Sequence, residues 1–391
     1  MDVKPEPFIV SGPETQDTQC SGSPFTISPQ DGVPSATTIV PVGTQYTWVV
    51  SVPNANLTGS SDQTSAVDLI SQTLVNTTNE TQQITYTITP EVDGCIGPTF
   101  DAVITIEPKP FIPDVVEDLC DASSYILTPL HGTLPDANTI VPDLTTYSWG
   151  LPTITGGITG ASIGVEEAFF DSGILENPTV NTQTAVFSVT PNYYASSDPT
   201  TLLCTGDVFT VTINLFPSPE INEVITTIGC SYTDDLCTSS IEISPVGLAP
   251  FTYNWVSLDG NPIVNPTDRD QFDLCPGVYE LAITDSSNCT YVYQYEVPPP
   301  DPVEFTLITL TDISCNNVGV QPCDGSIEVE TVGGITPYNL VEWYTETIPD
   351  SGVFDFGPLI NVNDPNQLVN ACEGNYILKV LDDSGCEFIS P

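Results

Sequence analysis

Positive charge is almost missing from this chain. Four Lys and Arg residues stand against 51 Asp and Glu, a formal net charge of −47. A surface of that sign repels nucleic acid and anionic lipid, so neither is expected as a partner. Histidine is as scarce, with His131 alone, and no C-x-x-C spacing occurs among the 12 cysteines, which argues against a structural zinc site. An apolar run of about 18 residues is lacking too, and so is a signal peptide, so direct membrane insertion is not expected. An exported protein without an export signal reads as a segment of a longer one. Met1, the single methionine, then reads as an added start, and the closing "FISP" as an interrupted strand.

What is present points outside the cell. Twelve cysteines without metal-type spacing imply disulfides and an oxidising compartment. Few Lys and Arg leave trypsin-like proteases little to cut. Hydrophobic residues make up 40% and mean hydropathy is +0.06, and the acids are dispersed among Val, Ile, Thr and Tyr rather than gathered in blocks. That is the composition of folded domains with acidic surfaces, not of a disordered acidic chain.

The chain repeats itself twice over. "CPGVYELAITDSSNC" (275–289) and "CEGNYILKVLDDSGC" (372–386) share Cys, Gly, Tyr, Asp and Cys at one spacing, and "CTSSIEISPVGLAPFTYNW" (237–255) aligns with "CDGSIEVETVGGITPYNLVEW" (323–343). In the first half, "CSGSPFTISPQDGVPSATTIVPVGTQYTW" (20–48) aligns with "CDASSYILTPLHGTLPDANTIVPDLTTYSW" (120–149) after one inserted residue. Proline-rich "EPKP", "FPSP" and "VPPPDP" stand between the copies, and such segments act as semi-rigid spacers. The expected domains are 1–109, 110–219, 220–300 and 301–391.

Within each copy the apolar period is two, as in "VFTVTINL" and "VYELAITD", with β-branched and aromatic residues in excess. Turn residues recur every 8–12 positions, and no amphipathic helix is evident. The expected fold is all-β: a tandem array of four immunoglobulin-like or PKD-like β-sandwich modules, stapled by disulfides into an extended rod on the order of 150 Å long. Trp48, Trp149, Trp255 and Trp343 fall one per module at equivalent places, and each is expected to fill a core rather than form a platform for sugars.

The first two modules carry two cysteines each and the last two carry four each, which favours bridges inside modules. Cys20–Cys95 and Cys120–Cys204 are expected in the first pair. In the second pair Cys275 and Cys289 flank a strand, too far apart to bond. Cys237–Cys275 and Cys323–Cys372 are then favoured because the strands they precede begin at one end of a Greek-key sandwich. Cys230–Cys289 and Cys315–Cys386 follow by elimination. They require a short or displaced first strand, unless those cysteines bridge neighbouring modules.

Catalytic chemistry is hard to find. "GASIG" (160–164) fits G-x-S-x-G with Ser162 as nucleophile, but the motif needs a strand–turn–helix setting and a downstream His, and His131 lies upstream in what reads as a surface turn. Adjacent acids such as Glu166/Glu167, Asp234/Asp235 and Asp382/Asp383 read as surface charge. No enzyme activity and no obligatory cofactor are expected. Calcium is the one metal with candidate ligands: Asn265, Asp268, Asp270 and Asp273 in "NPTDRDQFD", and Asn361, Asn363 and Asp364 in "NVNDPNQ". Asn and Asp populate turns for conformational reasons as well, and that reading is preferred.

Residues 315–386, with a first Cys, "DGSI", "GGITPY" and the closing G-x-Y…D-x-x-G-C, resemble the SprB repeat of the gliding-motility adhesins of Bacteroidetes. Residues 230–289 resemble a second copy with "TSSI" and "DSSNC" as departures, and residues 1–219 look like the PKD-type or Ig-like modules of the same surface proteins. The resemblance implies export by type IX secretion and display on the outer surface within a long adhesin filament. It implies as partners the neighbouring modules of one chain, the gliding or secretion machinery and other surface proteins. A stalk segment is the leading expectation, with a glycan- or protein-binding module, or a spacer of a large secreted enzyme, as alternatives.

Overall fold

The computed structural model describes residues 5–226, 237–299, 301–312, 323–346, 356–360, 364, 366–383 and 385–390. Strands dominate throughout, and the only helical turn among the described residues is the 3-10 segment Pro13–Thr15. The chain divides into two compact units, residues 1–217 and 218–391.

The first unit opens with β1 (Gln16–Cys20), β2 (Pro24–Ile27), β3 (Gln45–Val52), β4 (Gln63–Val67), β5 (Ile70–Thr73), β6 (Gln82–Val92), β7 (Cys95–Ile96) and β8 (Phe100–Glu107). Its main sheet has the order β1-β8-β6-β3-β4, with β7 folded back on β6, and β2 pairs with β5 in a second layer. The period-two pattern does its expected work. In β6, Ile84, Tyr86 and Ile88 turn inward, as do Ala102, Ile104 and Ile106 in β8, and they meet Phe25, Ile27, Trp48 and Leu74 in one core. Each large side chain buried this way stabilises by about 1.5–3 kcal/mol. The first strand is the unforeseen element. β1 runs parallel to β8, in register from Gln16 opposite Val103 to Cys20 opposite Glu107.

The same plan follows in β9 (Val115–Cys120), β10 (Ile126–Leu127), β11 (Thr145–Trp149), β12 (Gly164–Glu167), β13 (Phe170–Asp171), β14 (Gln183–Ala195), β15 (Asp198–Thr205) and β16 (Phe209–Phe216). The sheet order is β9-β16-β14-β11-β12, β15 folds back on β14, and β10 pairs with β13. β9 is again parallel to the last strand, ending with Cys120 opposite Phe216. A second core gathers Trp149, Phe170, Phe187, Phe209 and Val211.

In the second unit, β17 (Glu220–Thr226), β18 (Ser239–Val246), β19 (Thr252–Ser257), β20 (Gln271–Leu274), β21 (Gly277–Thr284) and β22 (Thr290–Val297) form two three-stranded sheets, β17-β18-β20 and β19-β21-β22. Trp255, Tyr279, Leu281 and Ile283 lie between them. The arrangement recurs in β23 (Glu304–Thr311), β24 (Gly325–Val332), β25 (Leu340–Glu346), β26 (Phe356–Ile360), β27 (Gln367–Ala371), β28 (Tyr376–Leu381) and β29 (Glu387–Ile389), with sheets β23-β24-β27 and β26-β25-β28-β29 around Trp343, Leu378 and Val380. The architecture is therefore a tandem series of disulfide-bearing β-sandwiches.

The four tryptophans are 4%, 7%, 2% and 3% exposed in chain order, so none offers a face to a sugar. Trp48 Nε1 donates to the Ser61 carbonyl at 3.1 Å and Trp255 Nε1 to the Asp268 carbonyl at 3.1 Å.

The shared Cys-Gly-Tyr-Asp-Cys spacing has a structural meaning at each position. The Tyr279 hydroxyl donates to the Cys275 carbonyl at 2.7 Å, and the Tyr376 hydroxyl to the Cys372 carbonyl at 2.8 Å, closing the entry to β21 and β28. At the far end Asp285 Oδ1 accepts from the backbone N–H of Ser287 at 2.9 Å and of Cys289 at 3.1 Å. Asp382 Oδ1 accepts from Cys386 N–H at 3.0 Å, and its Oδ2 from Ile335 N–H at 3.0 Å. Both carboxylates are buried, at 5% and 1% exposure, so the second acid of "LDDSG" is the surface one and the first is a turn cap.

Cys237 is bonded to Cys275, and Cys323 to Cys372. The register explains the contact. Ser239 at the head of β18 sits opposite Leu274 at the tail of β20, and Gly325 opposite Ala371, so each cysteine just outside one strand meets its partner just outside the other. Cys289 and Cys386 are also disulfide-bonded. The expected partners Cys230 and Cys315 lie outside the described residues, as do Asp234, Asp235, Asn361 and Asn363.

Candidate functional site

The most constructed place in the first unit is the joint between its two sandwiches. Cys20 is bonded to Cys204, with 5.7 Å between Cα atoms. This corrects two expected pairs at once: Cys20 is not joined to Cys95, and Cys120 is not joined to Cys204. The parallel first strand is the reason. Cys20 lies opposite Glu107 at the tail of β8, whereas Cys95 precedes Phe100 at its head. A strand of that length separates the two by roughly 20 Å at about 3.3 Å per residue, against the 7 Å or so a disulfide tolerates. The same holds for Cys120, opposite Phe216 at the tail of β16, and Cys204, which precedes its head. Cys120 is disulfide-bonded, and Cys95 is an exposed free thiol.

Other contacts converge on this joint. Lys109, in the proline-rich linker, places Nζ 2.6 Å from Asp207 Oδ1. Tyr193 of β14 lies beside Thr81, whose Oγ1 donates to Glu107 at 2.7 Å. Burial raises the Tyr193 hydroxyl pKa, and the nearby Glu107 carboxylate raises it further. Gly206 is there for space: a Cβ on it would lie 2.4 Å from the Pro110 carbonyl oxygen, so a side chain would push the linker off. The disulfide, the ion pair and the seated linker tie the tail of one sandwich to the head of the next.

The sequence-derived chemical candidates do not assemble into a reactive site. Ser162 lies in a loop and donates its hydroxyl to the Asp171 carbonyl, in an open recess of about 230 Å³ lined by Trp149, Ile163, Glu167 and Phe169. No helix follows it, and His131 sits in an exposed turn that does not line the recess. Glu166 is exposed and takes hydrogen bonds from Thr146, from Ser148 at 3.2 Å and from Asn192 at 2.9 Å. Burial tends to raise its pKa, but these donors and Tyr194 outweigh that and hold it below the usual carboxylate range.

Of the calcium candidates, Asp270 has its carboxylate already held. Asp270 is held by Arg269, at 2.6 Å from Nη2, and accepts from Ile243 N–H at 3.0 Å. Burial tends to raise its pKa, but these partners outweigh that and keep it low. Asp268 and Asn265 turn their carbonyls toward Gln271 Nε2 at 3.0 and 2.9 Å, Asp273 is an exposed residue with φ of 56°, and Asp364 Oδ1 accepts from Asn366 N–H at 3.0 Å. Among the described residues no group of three or more His, Cys, Asp and Glu side chains converges as a metal cage. No helix among them is long and apolar enough to cross a membrane.

Residues 17–110 match the PKD-like domain family, which coincides with the first sandwich. No curated protein matches the chain. Solved structures similar to it include Sidekick-1 immunoglobulin domains 1–4, at 9% identity, covering 98% of this chain and 97% of that one with a TM-score of 0.20. The human desmocollin-1 ectodomain is 11% identical over 96% of this chain and 78% of that one, with a TM-score of 0.23. Protocadherin gamma B2 cadherin domains 1–5 are 10% identical over 99% and 79%, with a TM-score of 0.17. The first sandwich thus resembles a PKD-like domain over residues 17–110, and disulfides such as Cys20–Cys204 belong to an oxidising compartment.

Proposed function

We propose that this chain is a structural stalk segment of a secreted cell-surface adhesin, exported by the type IX route and serving gliding or surface attachment. The observation that carries the reading is the Cys20–Cys204 bridge, which spends a disulfide on a joint between sandwiches rather than on a pocket or a single core. Lys109–Asp207 and the seated linker act in the same direction, and both stiffen a connection. A net charge of −47 keeps neighbouring stalks apart. The SprB-type resemblance of residues 230–386 supplies the adhesin and the export route. The four sandwiches at 1–109, 110–219, 220–300 and 301–391 are its repeating parts in this reading.

The test is to label the parent protein on living source cells with an antibody against residues 220–391. Label that travels along the cell surface supports a motility adhesin, and static surface label supports a fixed one. Label found only in the medium overturns the stalk reading in favour of a secreted enzyme's spacer.

A further inference from the structure

Cys95 occupies in the first sandwich the place that Cys204 occupies in the second. Cys95 pairs with Val92 across the β6–β7 turn, and Cys204 with Tyr193 across the β14–β15 turn. Gly97 donates its N–H to the Pro90 carbonyl at 2.9 Å, and Gly206 its own to the Pro191 carbonyl at 2.8 Å. The incoming chain is seated alike in both. A Cβ on Gly97 would lie 2.0 Å from the Pro7 carbonyl oxygen, as one on Gly206 would lie 2.4 Å from that of Pro110. Phe8 then bridges to Ile39 as Phe111 does to Ile140. The two heads are built on one plan, and they differ most in their occupancy. Cys204 is bonded to Cys20 and 1% exposed, while Cys95 is free and exposed.

We propose that Cys95 is the attachment point for the tail of another module of this same build, one that ends its first, parallel strand in a cysteine. The second head shows what arrives at such a site: the sulfur that closes the first strand of the sandwich before it. A second copy of this chain does not supply it through its first unit, because there Cys20 and Cys120 are already bonded. The two heads differ in the polar groups around them. Glu6 and Pro98 stand where Lys109 and Asp207 form their ion pair, and Val92 stands where Tyr193 lies beside Thr81.

Bond formation balances by exchange. The Cys95 thiol and the incoming thiol pass two electrons and two protons to the disulfide of an exported thiol oxidoreductase, which leaves as its dithiol while the new S–S bond forms.

The inference rests on the reading of the joint as a repeating connection, and one measurement separates the two. The parent protein is isolated from its native cells in N-ethylmaleimide, digested without reduction by an acid-specific protease, and its linked peptides are sequenced by mass spectrometry. The Cys20–Cys204 peptide pair reports on the joint. For Cys95 the expected result is near-complete loss of the alkylated form and a cross-link to a peptide that aligns with "QDTQC" or "VVEDLC" from another module. Alkylated Cys95, a Cys95–Cys95 dimer or a small-thiol adduct overturns the proposal even when Cys20–Cys204 is found.

Discussion

Replacing Cys204 and Cys95 one at a time by serine separates the cross-sandwich joint from the pairing inside one sandwich. The bridge from Cys20 to Cys204 spans 184 residues, and the chain-entropy relation for a loop of that size gives about 5 kcal/mol of stabilisation, by restriction of the unfolded chain. The shorter loop from Cys20 to Cys95 would give about 4–5 kcal/mol by the same relation, so the total alone does not tell the pairings apart. The identity of the silent variant does. With Cys20 tied to Cys204, Cys204→Ser loses about 2–5 kcal/mol, lowers the thermal midpoint of the first unit by on the order of 10 °C, and exposes the Cys20 thiol. Cys95→Ser then changes an exposed side chain without a partner and stays within about 0.5 kcal/mol of the parent. Differential scanning calorimetry of the oxidised chain, with a thiol count before and after, reads both. A fall of several degrees in Cys95→Ser, with Cys204→Ser silent toward the first sandwich, refutes the joint as described here.

Four further outcomes follow from the geometry. Asp382→Ala leaves the N–H groups of Ile335 and Cys386 without acceptors in a buried turn, at a cost of about 1–3 kcal/mol; urea unfolding of the second unit checks it, and an unchanged midpoint refutes the capping role. Gly164→Ala puts a Cβ 2.3 Å from Trp149 Cη2 and destabilises the second sandwich by about 1–3 kcal/mol through overpacking, read from its thermal midpoint. Burial pushes the hydroxyls of Tyr46, Tyr86, Tyr125 and Tyr295 up to about 12. Their unfolded value is near 10, so this stability is fully present below about pH 10 and is lost as pH rises from there toward about 12. Urea midpoints that hold level between pH 8 and pH 11.5 contradict it. Calcium at millimolar concentration leaves the midpoint of the second unit unmoved, because the Asp270 carboxylate is already held by Arg269 and by the Ile243 N–H; a calcium-dependent rise of several degrees refutes that assignment.

The sandwiches were legible because two local signals agree across the copies. The period-two alternation of "ITYTITP" and "FTVTINL" sends alternate side chains to one face, and a single tryptophan per copy marks the strand that needs the largest filler. The Cys-Gly-Tyr-Asp-Cys spacing was visible as a repeat, but its meaning was not. A carboxylate that caps a buried turn and one that faces water look alike in "LDDSG", and only the Cys386 and Ile335 N–H groups distinguish Asp382 from Asp383. The first strand was the real loss. "QDTQC" has no apolar alternation to declare its partner, and pairing it parallel to β8 is a choice made across most of a domain.

Once that choice is made, the first-pair bridge has little freedom. A first strand parallel to the last carries its closing cysteine to the tail of the sandwich, and the hairpin before the last strand holds the other cysteine at the head. Two sulfurs at opposite ends of one rigid β-sandwich cannot bond each other, since closure would require the eight-residue strand β8 to collapse. Cys20 therefore finds its partner beyond its own module, in Cys204 at the next head. An even cysteine count per module therefore argues for closed modules only where both cysteines reach one end, as Cys237 and Cys275 do beside Ser239 and Leu274. In the first unit the same count includes a link between sandwiches.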